Sequence, residues 1–145
     1  MSVGKNVRLF NCTIGGEVLK QVSEARYLGC IFTENGSFNR EIEERTKKGN
    51  AVIAQLRSAV FRKKELRKET KVAIQKAIFR STLMYGSESW VDSGNLIHKL
   101  EVIDMRVNRM IAEKSRWNQW QDRINNDSIR NELGIESVEE AARRS

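Results

Sequence analysis

The side chains with the clearest chemical potential in this sequence are a run of cations near its centre. Six basic residues fall within ten positions, with two acids between them: Arg62, Lys63, Lys64, Arg67, Lys68 and Lys71. Lysine and arginine neutralise phosphates, which releases counterions and gives binding that depends on salt but tolerates many nucleotide sequences. A solubilising surface would have the same composition, so the run alone does not decide between the two interpretations.

The positive charge of the chain is concentrated in the region around this run. The 145 residues have a formal net charge of +7. Residues 40–80 contain thirteen basic and five acidic residues, a local net charge of +8, so the remainder of the chain carries −1. Such a local excess suggests an anionic partner. Arg40 and Lys47 lie in the same region, and we expect them to contribute to one basic helical face.

No group of residues has the spacing of a catalytic centre. The sequence contains no phosphate-binding loop, no nucleophile elbow and no His-Glu-x-x-His zinc pair. General acid–base and two-metal catalysis need acidic groups held in a cleft, whereas Asp104 is predicted to pair structurally with Arg106 or Arg109. The acids at the start of the first helix are predicted to form a solvated turn stabilised by the helix dipole: Glu41, Glu43 and Glu44. The sequence therefore predicts a protein that is not an enzyme.

Metal and redox chemistry are not indicated. Cys12 and Cys30 lie far apart and His98 is the only histidine, so we expect no zinc site and no cofactor. The cysteines are predicted to be free thiols that behave as small buried hydrophobes. Trp117 and Trp120 could stack on nucleic-acid bases, but packing against a neighbouring helix is the favoured interpretation.

β-Hairpins are predicted for the first part of the chain. Residues 7–32 are rich in strand-forming types and are interrupted by Gly15 and Gly16, which accept the positive φ angles of a tight turn. Asn35 and Gly36 mark a second turn. Proline is absent from the sequence, which favours a compact, mainly helical organisation after the hairpins.

Three amphipathic helices are predicted to follow, with apolar residues at helical spacing. The first begins after Ser37 and the second near Thr70, and Ser137 with Glu140 forms a capping box for a final short helix. The predicted fold is α+β, mainly α, with N-terminal β-hairpins, a three-helix bundle and short C-terminal helices. The predicted domains are residues 1–36, the hairpin region, residues 37–113, the bundle, and residues 114–145, a helical extension.

Four short motifs occur in the order and spacing of a known family. They are Tyr27-Leu28-Gly29, Asn35-Gly36-Ser37, Leu83-Met84-Tyr85-Gly86-Ser87-Glu88-Ser89-Trp90 and Trp120-x-Asp122-Arg123-x-x-Asn126. From about Val7 onward, the chain resembles the region that follows the catalytic palm in LINE-type non-LTR retrotransposon endonuclease/reverse transcriptases. Each motif alone is weak, whereas four in the same order are specific.

The resemblance implies a thumb-like bundle with an adjoining palm edge. The Tyr-Leu-Gly motif would match the primer grip, and the helices would lie along the minor groove of the template–primer duplex. The implied partner is RNA or an RNA–DNA hybrid, which is recognised by its shape and backbone. The predicted nucleic-acid-binding residues are Tyr27, Leu28, Gly29, Arg40, Lys47, Arg62, Lys63, Lys64, Arg67, Lys68 and Lys71.

Other parts of the family's polymerase are absent from this sequence. It has no fingers, no Tyr-x-Asp-Asp metal-binding motif and no endonuclease, so a palm and fingers would be supplied elsewhere and this chain alone would not polymerise. The C-terminal extension is expected to be truncated. The absence of a signal peptide predicts an intracellular location, and the family implies the nucleus. No apolar run approaches the roughly 18 residues that indicate a membrane span.

Two other functions stay open at this stage. An isolated hairpin leaves an unpaired strand edge and an apolar face, so the chain could be a protein-interaction module that docks on a palm or on another protein. It could also be a decayed remnant of an element without an independent function.

Overall fold

The computed structural model describes residues 11–90 and 94–144, and it confirms the predicted α+β, mainly helical class. Two small antiparallel hairpins precede the helices. The elements are β1 Thr13–Ile14, β2 Glu17–Val18, β3 Glu24–Tyr27, β4 Cys30–Thr33, α1 Asn39–Leu56, α2 Lys68–Ile74, α3 Ser81–Leu83, α4 Gly94–Ile111, α5 Arg116–Gln121, α6 Asn126–Leu133 and α7 Val138–Arg144. The strand residues predicted before Asn11 lie outside the described residues. None of the described helices is long and apolar enough to cross a membrane.

Both hairpins turn at pairs of residues with positive φ. Gly15 and Gly16, with φ of 60° and 87°, join β1 to β2 and confirm the predicted turn. The β3–β4 hairpin turns at Leu28 and Gly29, with φ of 48° and 81°. A leucine in the left-handed region is uncommon, so the contacts around this turn must stabilise it.

Buried side chains of the described residues form a hydrophobic cluster that joins the bundle to the C-terminal helices. In the bundle, α1 packs against α3, α4 and β4. Gly49 permits this close approach, since a Cβ there would lie 3.0 Å from Leu83 Cδ1 and 3.9 Å from Ile103 Cγ2. Fully buried side chains of the cluster include Ile42, Phe61, Phe79, Leu83, Leu100, Met105, Val107, Ile111, Ile129 and Val138. The division into three domains stays a prediction.

Two helices widen from α to π geometry along their length. α1 continues into a π-helical segment, Arg57–Phe61, and α2 continues into another, Gln75–Arg80, which leads directly into α3. Such segments, with hydrogen bonds from residue i to i+5, are rare and short. They were not predicted, because the periodicity used to find helices assumes 3.6 residues per turn.

A buried polar network ties the second π-helical segment to α4. The Asp104 carboxylate is completely buried and accepts hydrogen bonds from Arg80 Nε and Nη2, at 3.1 and 3.0 Å, and from Gln75 Nε2 at 3.0 Å. The prediction that Asp104 pairs with Arg106 or Arg109 is therefore wrong, because its partner is Arg80. A buried charge needs a close partner of opposite sign, and here the partner comes from another helix.

Local capping residues set the ends of the C-terminal helices. Asn125 caps α6 by accepting a hydrogen bond from the backbone N–H of Ser128 at 2.7 Å, and Gly134, with φ of 62°, ends the helix. The predicted capping box is confirmed. The N–H of Ser137 donates to the Glu140 carboxylate at 3.0 Å, and the N–H of Glu140 donates to Ser137 Oγ at 3.1 Å.

Candidate nucleic-acid interface

The link between the first π-helical segment and α2 carries most of the predicted cationic run. Together with the first residue of α2, we call this link the basic connection. Its basic residues, all exposed, are Arg62, Lys63, Lys64, Arg67 and Lys68. In the described part of the chain, no carboxylate forms an ion pair with the first four of them. Glu65 is the one acid between them in the sequence. Four unbalanced cations on so short a link form a surface that attracts anions.

The two lysines at the start of α2 differ from each other. Lys68 Nζ donates to Glu132 Oε1 at 2.8 Å, and this hydrogen bond raises the pKa of Lys68 above its ordinary value. Lys71 is buried, with its Nζ 3.9 Å from Glu113 Oε1. The prediction that Lys71 belongs to an exposed basic face is wrong, because this position of α2 faces the body of the protein.

Arg40 and Lys47 lie on α1, away from the basic connection. Arg40 pairs with carboxylates of β3 and α1, at 3.3 and 3.6 Å, so its charge is balanced locally. Lys47 lines a groove between α1 and α4. Arg62 follows Lys47 by fifteen residues, roughly 22 Å along a helix that rises 1.5 Å per residue. The single face predicted for residues 40–80 is therefore divided into separate patches.

The tip of the β3–β4 hairpin is held by side chains of the bundle. The side chains of Tyr27 and Leu28 are exposed, but the backbone of the turn is fixed. Tyr85 Oη donates to Leu28 O at 2.8 Å, and Arg45 Nη2 donates to Gly29 O at 2.9 Å. The Arg45 guanidinium also lies 4.8 Å from the centroid of the Tyr85 ring. Two of the motifs that carry the family resemblance thus meet in the fold.

Glu41 lies beneath this hairpin and is not solvated, contrary to the prediction for the first turn of α1. Its side chain is 1% exposed. Oε1 accepts a hydrogen bond from Arg45 Nε and Oε2 accepts one from the backbone N–H of Ile31, both at 2.6 Å. Glu43 is exposed, as predicted, and Glu44 is half-buried. The prediction fails at Glu41 because β4 packs on this side of the helix.

A groove of about 760 Å³ between α1 and α4 was not predicted from the sequence. Val102 and Ile103 give it an apolar floor, and Glu43 is the one acid among its lining residues. Its basic lining residues, with one histidine, are Lys47, His98, Lys99, Arg106, Arg109 and Arg116. Burial lowers the pKa of Arg109, and the charge of Arg116 lowers it further. Arg109 and Arg116 are therefore close enough to repel each other.

The basic residues that α4 contributes to this groove could have been recognised from their spacing in the sequence. Lys99, Arg106 and Arg109 recur at helical spacing along one edge of the apolar stripe of α4. The second wall comes from α1, about fifty positions earlier in the chain. A groove between two helices needs their relative placement, which the periodicity of either helix alone does not contain.

α5 presents two tryptophans to solvent. Trp117 and Trp120 are 63% and 73% exposed, and their ring centroids lie 5.5 Å apart with 39° between the ring planes. The favoured prediction, that these rings pack on a neighbouring helix, is wrong, because both lie on the solvent side of α5. Part of each indole surface faces the other ring, and the rest is open to solvent.

Neither cysteine forms a disulfide. Cys12 is free and exposed and Cys30 is free and half-buried, so the predicted free thiols are confirmed and the predicted burial is wrong for Cys12. Within residues 11–90 and 94–144, no three His, Cys, Asp or Glu side chains lie together in a way that could hold a metal ion.

Comparison with protein-family models, with curated proteins and with solved structures finds no match. The resemblance to LINE-type reverse transcriptases therefore stays a prediction.

Proposed function

We propose that this chain is a non-catalytic module that binds RNA or an RNA–DNA duplex through the basic connection. One observation carries the proposal: in the described structure, four exposed cations without ion-pair partners lie on the short link between the first π-helical segment and α2. Exposed lysines and arginines have flexible side chains that can contact phosphates. Such contacts position the protein on the nucleic acid but do not distinguish one base sequence from another. Binding is therefore expected to depend on charge and duplex shape and to tolerate many sequences.

The family resemblance supports a more specific role within this proposal. As a thumb, the bundle would lie along a template–primer duplex while a palm and fingers from elsewhere supply the polymerase chemistry. The hairpin tip at residues 27–29 would then approach the primer end. The nucleus is the location that this role implies.

A salt titration with a labelled RNA–DNA hybrid tests the proposal. Affinity is measured by fluorescence anisotropy at several salt concentrations. Log affinity should fall linearly with log salt, with a slope of about −0.9 for each neutralised phosphate of B-DNA, so four neutralised phosphates predict about −3 to −4. Replacement of Arg62, Lys63 or Lys64 by glutamine should make the slope shallower by about one for each phosphate that is no longer neutralised.

Arg143→Gln is the matched control for these variants. Arg143 is also exposed, but it pairs with Glu139 at 2.6 Å on α7, remote in sequence from the basic connection. Its replacement removes the same charge and should leave the salt slope unchanged. Binding that does not respond to salt, or no binding at low salt, would refute the proposed function.

A protein-interaction module is the second candidate, because the β1–β2 region exposes apolar side chains. Ile14, Val18, Leu19 and Val22 are all exposed. Exposed apolar side chains concentrated in one short segment can mark a contact with another protein. Light scattering across a range of concentrations distinguishes this candidate. A monomer at every concentration that binds no hydrophobic dye would argue against it.

A further inference from the structure

The α1–α4 groove lies next to the exposed tryptophans. Arg116 lines the groove and is the first residue of α5. Trp117 and Trp120 follow it by one and four positions on the same helix. Helical residues three or four apart have Cβ atoms about 5–6 Å from each other. Trp120 therefore lies beside Arg116 at the rim of the groove, and the ring of Trp117, 5.5 Å from that of Trp120, extends this surface.

This surface offers cations for phosphates and aromatic rings for bases, and a duplex cannot contact both kinds of group in this way. Lys47, Lys99 and Arg106 are exposed cations along the groove, and the indole rings offer flat apolar faces. A duplex presents phosphates but keeps its bases stacked inside. A single strand presents both phosphates and open base faces. Proteins that bind single strands without sequence preference combine a basic groove with aromatic stacking in this way.

We infer that this surface binds a single-stranded segment of nucleic acid, with phosphates along the α1–α4 groove and bases stacked on Trp117 and Trp120. The inference rests on the proposed function. It extends that function by assigning a separate binding site to the single strand that continues from the bound duplex. An acidic peptide would match the cations of the rim, but it has no particular need for two open indole faces.

Three matched ligands separate this site from the basic connection. The first is a blunt RNA–DNA hybrid. The second is the same hybrid with a single-stranded RNA tail of about eight nucleotides, within the known range of such binding sites. The third has an abasic tail of equal length and charge. If bases stack on the tryptophans, the base-bearing tail should bind most tightly.

The tryptophans can be replaced without opening the core, because both rings are exposed. Trp117→Ala and Trp120→Ala should each weaken binding of the base-bearing tail by about 5- to 150-fold, the range expected for one stacked base. Neither should change binding of the blunt hybrid. Trp120→Phe, which keeps an aromatic face, should retain much of the affinity. A 2-aminopurine base in the tail should be quenched by the unchanged protein but not by the double alanine variant.

The phosphate half of the site has its own variants. Lys99→Gln and Arg106→Gln should weaken binding of both tails equally, because abasic and base-bearing tails carry the same phosphates. Each replacement should also make the salt slope for the tailed hybrids shallower by about one.

The possible outcomes distinguish this inference from the proposed function. Equal affinity for the two tails, or a double tryptophan variant that binds like the unchanged protein, would overturn the inference and leave duplex binding intact. Absence of all binding at low salt would refute both. Self-association in light scattering that the double variant abolishes would assign the tryptophans to a protein contact and also overturn the inference.

Discussion

Replacement of Glu41 by alanine is expected to destabilise the protein much more than the same change at Glu43. The buried Glu41 carboxylate accepts hydrogen bonds from Arg45 and from the N–H of Ile31, so its removal leaves a guanidinium and an amide buried without this acceptor. Removal of one partner of a buried ion pair costs about 3–5 kcal/mol. The Glu43 side chain is 49% exposed and 3.6 Å from Arg40, and such exposed pairs contribute about 0.2–1 kcal/mol.

Urea unfolding followed by circular dichroism measures this difference. Small proteins lose about 1–3 kcal/mol of stability per molar urea. With a value of about 2, Glu41→Ala should lower the midpoint by about 1.5–2.5 M, and Glu43→Ala by less than about 0.5 M. Amide hydrogen exchange gives a local readout, because exchange at Ile31 should accelerate in the Glu41 variant alone.

Equal midpoints for the two variants would refute the placement of Glu41 beneath the hairpin. A double-mutant cycle with Arg45→Ala separates the ion pair from effects on helix propensity. If the two side chains interact, the double variant should lose less stability than the sum of the single losses, by about 0.5–3 kcal/mol. Strictly additive losses would show that the pair does not contribute.

Three further predictions concern other parts of the chain. Ser137→Ala should raise the pKa of Glu140 part of the way towards its ordinary value, as followed by NMR. The Ser137 N–H, the larger cause of the lowered pKa, remains, and only the hydroxyl is lost. Since the folded-state pKa of Glu140 is depressed, its contribution to stability is present above the unfolded pKa and is lost as pH falls through the folded pKa. Glu132→Gln should release Lys68, strengthen hybrid binding and steepen the salt slope by about one. Gly86→Ala should destabilise the protein in urea by more than about 1 kcal/mol, because φ is 81° and the added Cβ would lie 2.6 Å from the thiol in β4.

Matched variants control for each of these changes. Ser137→Thr keeps the hydroxyl and should keep the low pKa, so an equal rise in both variants would contradict the first prediction. Glu139→Gln removes an acid of α7 and should leave the salt slope unchanged. Gly134→Ala introduces a methyl at φ of 62° with no other atom within 4 Å, so it should destabilise less than Gly86→Ala.

Local sequence signals predicted those elements that neighbouring residues determine. The turn at Gly15 and Gly16 and the capping box of Ser137 and Glu140 each depend on atoms a few residues apart. The same is true of the α+β class, which follows from the order of strand-like and helix-like patterns. These features could be predicted because the residues that cause them are close together in the sequence.

Buried charges could not be predicted in the same way. Helical periodicity shows which positions are polar, but not which element will cover them. Glu41 is covered by β4, Asp104 by Arg80 from another helix, and Lys71 meets the turn after α4. Each of these pairs joins residues that are ten or more positions apart, and the sequence alone therefore indicated solvent or the wrong partner.

The candidate interface likewise has one part that the sequence predicts and one part that depends on packing. The basic connection is contiguous in sequence, so most of its residues could be identified from their spacing. The α1–α4 groove brings Lys47 to the same opening as Lys99 and Arg106, and this depends on how the two helices pack. Exposure of Trp117 and Trp120 likewise depends on which side of α5 meets the body.

The wide π-helical turn Gln75–Arg80 determines how many positions apart two residues must be for their side chains to lie on the same side of the helix. Gln75 and Arg80 are five positions apart, yet both donate to Asp104. In an α-helix, five residues at about 100° each would direct the two side chains roughly 140° away from each other. A π-helical turn, bonded from i to i+5, brings the fifth residue back to the side of the first. This segment is therefore sensitive to length as well as to residue type: deletion of one residue would restore α geometry and turn one of the two donors away from the carboxylate.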